Sequence, residues 1–293
     1  MLFLCYYYPF YPKKENENWR TKNDNEWDIL RDAKSLAPQQ VIKKPIGYHG
    51  IEPYYDSTDI DVITTQINLA CEYLIDGFVF NTYMDYQRNF YLDKTLDSFL
   101  KAKKKDDFYF ALNWSYKLPR RSFPQLLNTD NDDAWRKVPL DADYFGDLIE
   151  QSCRKFFIDS HYLKIDGCPV LYIYELNSIL RYQHFDSVQI NEFFQKGNQV
   201  AQKFGYKGIF YVGLFSYFDG MHIKDISQIK LSAASGYAFL PNFSKLPLIQ
   251  NYSELVKERI KEQLLFKKLG IPWFPVVVAG WDSTPRGEQG FRI

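Results

Sequence analysis

Histidine and methionine are scarce in this 293-residue chain, with 4 and 3 residues, and its four cysteines form no CxxC pair. Cys5, Cys71, Cys153 and Cys168 each sit in an apolar segment, where a free thiol behaves as a small hydrophobe. A zinc or redox motif is therefore unsupported, and a reducing compartment fits better than a disulfide framework. His49, His161, His184 and His222 lack HExxH-type spacing, and neither a GxSxG elbow nor a Walker A lysine loop is present. No metal and no other cofactor is expected. An excess of charge is also missing, since Lys+Arg and Asp+Glu number 36 each. That excludes a general nucleic-acid binder, which needs a basic surplus to displace counterions, and it leaves no polybasic membrane anchor. No apolar run reaches the roughly 18 residues of a membrane span. The first five residues lack the basic flank and long apolar run of a signal peptide, so a cytoplasmic chain is expected.

What the chain has in surplus is aromatic side chains: 23 Tyr, 24 Phe and 6 Trp, 18% of residues. Such residues stack on ring-shaped ligands, and they equally fill cores. Seven short, nearly continuous apolar runs read as strands buried on both faces: residues 2–8, 77–81, 108–113, 169–174, 208–214, 232–239 and 273–279. Between them lie amphipathic helical patterns. Val62, Ile63, Ile67, Ala70, Cys71 and Leu74 share one face behind Asp59 or Asp61 as a cap. Phe193, Phe194, Gly197, Val200, Ala201 and Phe204 share another, between Asn191 and Gly205. Val256, Ile260 and Leu264 follow Ser253 and stop at Gly270-Ile271-Pro272. Alternating strand and helix predicts an α/β fold with a parallel sheet. Seven strands suggest a (β/α)8 TIM-type barrel in one domain over 1–293, with the eighth strand missing from the chain. An open doubly wound sheet is the weaker alternative, because Pro9-Phe10-Tyr11-Pro12 follows the first strand instead of a Gly-rich loop. Residues 13–36 and 119–143 read as long loops, and Lys103-Lys104-Lys105-Asp106-Asp107 as a solvated helix end.

Active-site groups in a barrel follow the C-terminal ends of the strands. That rule selects Tyr8, Phe10 and Tyr11; Asn81 and Tyr83; Asn113, Trp114 and Tyr116; Tyr174 and Glu175; Phe215, Ser216 and Tyr217; Tyr237; and Trp281, Asp282 and Arg286. Aromatic faces stack on sugar rings, Asn, Asp and Arg bind hydroxyls, and carboxylates do acid, base or nucleophile work at a glycosidic bond. Asp282 and Glu175 are the catalytic candidates. Each has a structural alternative: core lining for the aromatics after strand one, an exposed strand end for Glu175, a salt bridge for Asp282 and Arg286. Three DxD matches, at Asp59, Asp130 and Asp141, are of the kind that arises by chance, and the first is better explained as helix capping.

Five ordered segments carry a resemblance. Tyr6-Tyr7-Tyr8-Pro9-Phe10-Tyr11 resembles the first strand of endo-α-mannosidase-like glycoside hydrolases. Glu26-Trp27 with Ala33-Lys34, Pro45-Ile46-Gly47-Tyr48 with Tyr54-Tyr55-Asp56, the stretch from Tyr162 to Leu171, and Gly280-Trp281-Asp282-Ser283-Thr284-Pro285-Arg286 look like the WbsX-type glycosyltransferase family. The resemblance implies a (β/α)8 barrel acting on glycosidic bonds in bacterial surface polysaccharide (lipopolysaccharide, O-antigen or capsule) metabolism. Its ligand would be an oligosaccharide or polysaccharide, or a nucleotide-sugar. By carry-over, Tyr8, Tyr11, Trp27, Tyr48, Asp282 and Arg286 would line the sugar site.

Two departures accompany it. The family closes with an eighth strand of Asn-Glu-Trp-x-Glu-Gly type, whereas this sequence ends at Gly290-Phe291-Arg292-Ile293. Its third strand normally leads into Trp-Ala-Asn-Glu, where this chain reads Asn113-Trp114-Ser115-Tyr116. A truncated enzyme, a strand supplied by a partner or second copy, and a non-catalytic glycan-binding relative are the three explanations these departures allow.

Overall fold

The computed structural model describes residues 1–11, 26–35, 41–91, 93–104, 106–118, 138–182, 185–215, 223–237 and 251–278. In chain order the strands are β1 (Leu4–Tyr7), β2 (Gly77–Met84), β3 (Phe90–Tyr91), β4 (Tyr109–Ser115), β5 (Lys164–Ile165), β6 (Cys168–Ile173), β7 (Phe210–Phe215), β8 (Ala233–Gly236) and β9 (Trp273–Phe274). The helices are α1 (Glu26–Asp32), α2 (Ile60–Glu72), α3 (Lys94–Lys101), α4 (Ala142–Ser152), α5 (Leu176–Tyr182), α6 (Ser187–Lys203), α7 (Ile223–Ser227) and α8 (Tyr252–Leu265). Seven strands are parallel, in the order β1-β2-β4-β6-β7-β8-β9, and β3 and β5 add antiparallel to β2 and β6. This is the seven-stranded half-barrel of the TIM class, and each of its strands falls within or overlaps one of the seven apolar runs.

The two faces of the sheet carry different chemistry. Phe78, Phe80, Phe110, Leu112, Trp114, Leu171, Ile173 and Tyr211 point outward and pack with Ile63, Ile67, Phe99, Phe145, Leu148 and Phe194 from the helices. Burying so much aromatic and aliphatic area is the main stabilising contribution to the sheet–helix layer. Gly197 in α6 lets that layer close. A Cβ there would lie 2.4 Å from the Tyr211 hydroxyl and 2.9 Å from Phe145, whose helix α4 packs against α6. The inner face holds Val79, Ala111, Val170, Tyr172, Val212, Leu214 and Ala233. A hairpin between β5 and β6 turns through Asp166 and Gly167, both at positive φ (52° and 82°), as a two-residue primed turn requires. It sends Leu163 and Ile165 into the inner cluster with Leu4, Tyr109 and Phe210, filling the N-terminal end of the interior.

The helix ends follow local chemistry. Asp59 caps α2 by accepting from the Asp61 amide, and Asp141 caps α4 by accepting from Tyr144 at 2.7 Å. Both residues thereby leave the DxD reading for an ordinary helix-capping role. Lys104 closes α3 by donating to the Phe99, Leu100 and Ala102 carbonyls, in keeping with a helix end at 103–107. Two boundaries differ from expectation. Helix α6 starts four residues before Asn191, behind a capping box of Asp186 and Gln189. Asn191 instead ties α6 to the residues before β8, through the Gln228 carbonyl and the Lys230 amide. The cap of α8 is Asn251, which also accepts from the Ser253 hydroxyl. Gly270 ends the last helical turn at φ 69°, as expected of the Gly stop.

Leu74 occupies the position after α2 where glycine is the usual residue, with φ 60° and 78% exposure. The left-handed backbone strains a β-carbon and the side chain has little to pack against. Leu74→Gly is therefore expected to stabilise the protein by about 0.5–1 kcal/mol, the relief of strain less the glycine's entropy. Urea unfolding of the two proteins checks this; a lower midpoint for the variant would mean that Leu74 makes a contact that matters.

Candidate active site

Polar side chains on the inner face collect at the C-terminal ends of the strands. The register sets Asn81 of β2 opposite Asn113 of β4, and Asn113 opposite Tyr172 of β6. The Asn113 Nδ2 donates to Asn81 Oδ1 at 2.7 Å, and Asn81 Nδ2 donates to the Tyr237 hydroxyl at 2.9 Å. A chain of amide, amide and phenol thus crosses from β4 past β2 to the end of β8. Asn113 is 1% exposed, and its Oδ1 is a buried acceptor with no protein donor.

Tyrosines surround this chain. Tyr237 packs at 5.0 Å from Tyr6 and 4.8 Å from Tyr174, ring centroid to centroid, and Tyr6 meets Tyr172 edge-on at 6.1 Å. The Tyr6 hydroxyl donates to the Gly236 carbonyl at 2.8 Å, while Ser235 donates to the Phe274 carbonyl at 2.9 Å. These bonds tie β1 to β8 and β8 to β9 across the interior. Burial pushes the Tyr6 phenol well above its usual range, with the neighbouring Tyr172 adding to the shift, and burial pushes Tyr172 up as well. Both therefore serve as neutral hydrogen-bonding phenols, not as bases.

Glu175 stands at the rim, two residues past β6, at φ 46°. A non-glycine residue in the left-handed region costs free energy, and such strain concentrates at functional positions. Its half-buried carboxylate accepts from the Ser178 hydroxyl at 3.1 Å, and its carbonyl accepts from the Ser178 amide at 2.8 Å. Asn177, between them, is 9% exposed with its Oδ1 unpartnered. The carboxylate is thus held at the first turn of α5.

The other sequence candidates divide into four groups. Tyr8, Tyr11 and Tyr83 belong to aromatic packing around the end of β1. Tyr8 touches Phe10 and Tyr11, and Phe10 touches Tyr83. Trp27 joins them but is only 6% exposed. Its faces meet Tyr11, Tyr54 and Tyr55, and its Nε1 donates to the Tyr55 carbonyl at 2.7 Å. It ties α1 to Tyr11 and to residues 54–55, and these described neighbours cover its faces. Tyr48 is exposed in a turn closed by Ile51, its ring edge-on to His49. Trp114 points outward, 1% exposed, against Phe145 at 5.4 Å, and so belongs to the sheet–helix core. Trp281, Asp282 and Arg286 lie outside the described residues, as do Ser216 and Tyr217.

Three interior residues were missed: Tyr6, Tyr172 and Ser235. Each lies two positions before a strand-end candidate (Tyr8, Tyr174 and Tyr237), and side chains two apart share a strand face. That offset is the signal that would have found them.

A family model described as Glycosyltransferase WbsX matches residues 3–293. The GH99 endo-alpha-mannosidase from Bacteroides thetaiotaomicron in complex with BIS-TRIS-Propane superposes with a TM-score of 0.59 at 12% identity, covering 96% of this chain and 71% of that one. A second structure of that Bacteroides enzyme gives 0.59 and 12% over 97% and 73%. A glycoside hydrolase-like protein gives 0.50 and 14% over 80% and 69%. At these identities the likeness is one of fold. No curated protein matches the sequence.

Proposed function

Because the chain belongs to the WbsX glycosyltransferase family and is thus a carbohydrate-active enzyme, we propose that it makes or cleaves a glycosidic bond in bacterial surface-polysaccharide metabolism, in the cytoplasm. The observation that carries the reading is the inner end of the half-barrel, where Asn81, Asn113, Tyr6, Tyr172 and Tyr237 converge and Glu175 stands on a strained turn beside them. Amides and neutral phenols bind sugar hydroxyls, aromatic rings cover sugar faces, and a carboxylate at the rim can donate or accept the proton at the glycosidic oxygen. Asp282 and Arg286 are assigned from the sequence to the same end, as second carboxylate and hydroxyl anchor.

Transfer and hydrolysis are separated by one experiment. Purified protein is incubated with a panel of nucleoside-diphosphate sugars plus oligosaccharide acceptors, and separately with the oligosaccharides alone in 18O-water. Mass spectrometry then reads chain extension or 18O-labelled fragments. Extension only with a nucleotide-sugar identifies a transferase, and labelled cleavage identifies a hydrolase. Saturable binding with neither product supports a glycan-binding protein. One observation favours that second reading: among the described interior-facing strand positions none carries a carboxylate, and of the acids that follow strand ends here, Asp85 after β2 is engaged by the Gln87 and Asn89 amides, which makes Glu175 the stronger candidate.

A further inference from the structure

The orphaned oxygen of Asn113 is the most specific feature of the interior. An amide presents one acceptor and one donor end. At Asn113 the donor end is committed to Asn81, and Asn81 in turn to Tyr237, which fixes the direction of the whole chain. The acceptor end is left over, in a residue 99% buried on the inner face at the C-terminal end of β4. Buried acceptors of this kind are rare, because an unsatisfied one costs more than a normal hydrogen bond contributes. Around it, the inner-face positions of the seven strands carry aliphatic, aromatic, amide and hydroxyl groups, with no Lys, Arg or His among those described. Tyr174 and Tyr237, packed edge to face at 4.8 Å, lie nearer the rim and are both partly exposed, so together they form a lip above Asn113.

We infer that Asn113 Oδ1 is a specificity-determining acceptor: it takes a hydrogen bond from a hydroxyl of a neutral sugar ring that enters past Tyr174 and Tyr237. A carboxylate or sulfate substituent has no proton to give and would set acceptor against acceptor, so the ring at this position is uncharged. Phenol and amide neighbours add contacts that need no counter-charge. The inference deepens the carbohydrate-active reading and rests on it.

The test uses full-length protein, calorimetry, and a set of neutral oligosaccharides with their monodeoxy and uronic acid counterparts. Wild type is expected to bind a neutral member and to lose about tenfold in affinity for one monodeoxy analogue, with the matching uronate bound no better than that analogue. Asn113→Leu should bind the parent sugar about tenfold more weakly and lose its discrimination against the deoxy analogue, because the partner of the missing hydroxyl is gone. Asn113→Asp guards against a Leu variant that fails to fold. Its carboxylate can accept from an inverted Asn81 amide, whose oxygen then accepts from Tyr237, and still present an oxygen inward. It should keep the deoxy discrimination and reject the uronate more strongly. If Asn113→Leu, or Asn113→Asp where the former does not fold, departs from this pattern while the wild type still binds sugar, the inference falls: Asn113 is then a structural amide satisfied by buried water, and the carbohydrate reading survives. If wild type binds no sugar in the set by any readout, both fall together.

Discussion

Replacing Trp114 by alanine is expected to cost about 3–5 kcal/mol of folding stability, the range for removing a large aromatic side chain from a close-packed core. The ring fills the space between β4 and α4, against Phe145 and Tyr144, and is 1% exposed. Its indole Nε1 is buried without an acceptor. Trp114→Phe therefore removes an unpaired donor along with some volume, and is expected to cost less than half as much. Urea unfolding measures both. Sugar binding by the folded fraction should be unchanged in each variant. A Trp114→Ala protein of near-normal stability that has lost sugar binding would move this residue from the core to the site.

Glu175→Gln is expected to lower kcat by about 10²- to 10⁴-fold with little change in KM or in unfolding midpoint, as for removal of a general acid or base. The glutamine keeps an oxygen for the Ser178 hydroxyl, so the turn after β6 survives. Ser178→Ala, which removes one hydrogen bond to the carboxylate without neutralising it, should cost far less. Asp282→Asn is expected to abolish turnover if Asp282 is the second carboxylate. Turnover of Glu175→Gln within a few-fold of wild type would leave its strained backbone without a catalytic explanation and would strengthen the glycan-binding alternative.

The strands were legible because parallel strands covered on both sides read as apolar runs, and residues 77–81 and 169–174 are nearly unbroken examples. The same property hid the site. With both faces apolar, alternation vanishes, and no pattern says that Asn113 looks inward while Trp114 looks out. Chemical type then misleads: a tryptophan beside an asparagine suggests a stacking platform, yet the smaller polar residue reached the interior and the larger went to the helices. Trp27 is a related case: its partners Tyr54 and Tyr55 are nearly thirty residues away, and nothing local shows that its faces are covered. The helix starts at Asp186 and Asn251 are less legible because a second residue of capping type, Asn191 or Ser253, follows each of them; in α6 the first turn already carries Val188 and the buried Ile190. Glu175 could be picked by position, but its left-handed backbone could not be foreseen, because that conformation is imposed by the junction of β6 with α5.

The hairpin between β5 and β6 has a consequence for how a long polymer could be handled. With Leu163 and Ile165 seated among Leu4, Tyr109 and Phe210, the N-terminal end of the interior is plugged, and among the described residues the amides and phenols gather at the opposite end. A polysaccharide cannot thread through it and be drawn along from one end. Under the proposed function it would lie across the mouth and dip one ring toward Asn113, so that a stretch in the middle of the polymer would be as reachable as its terminus.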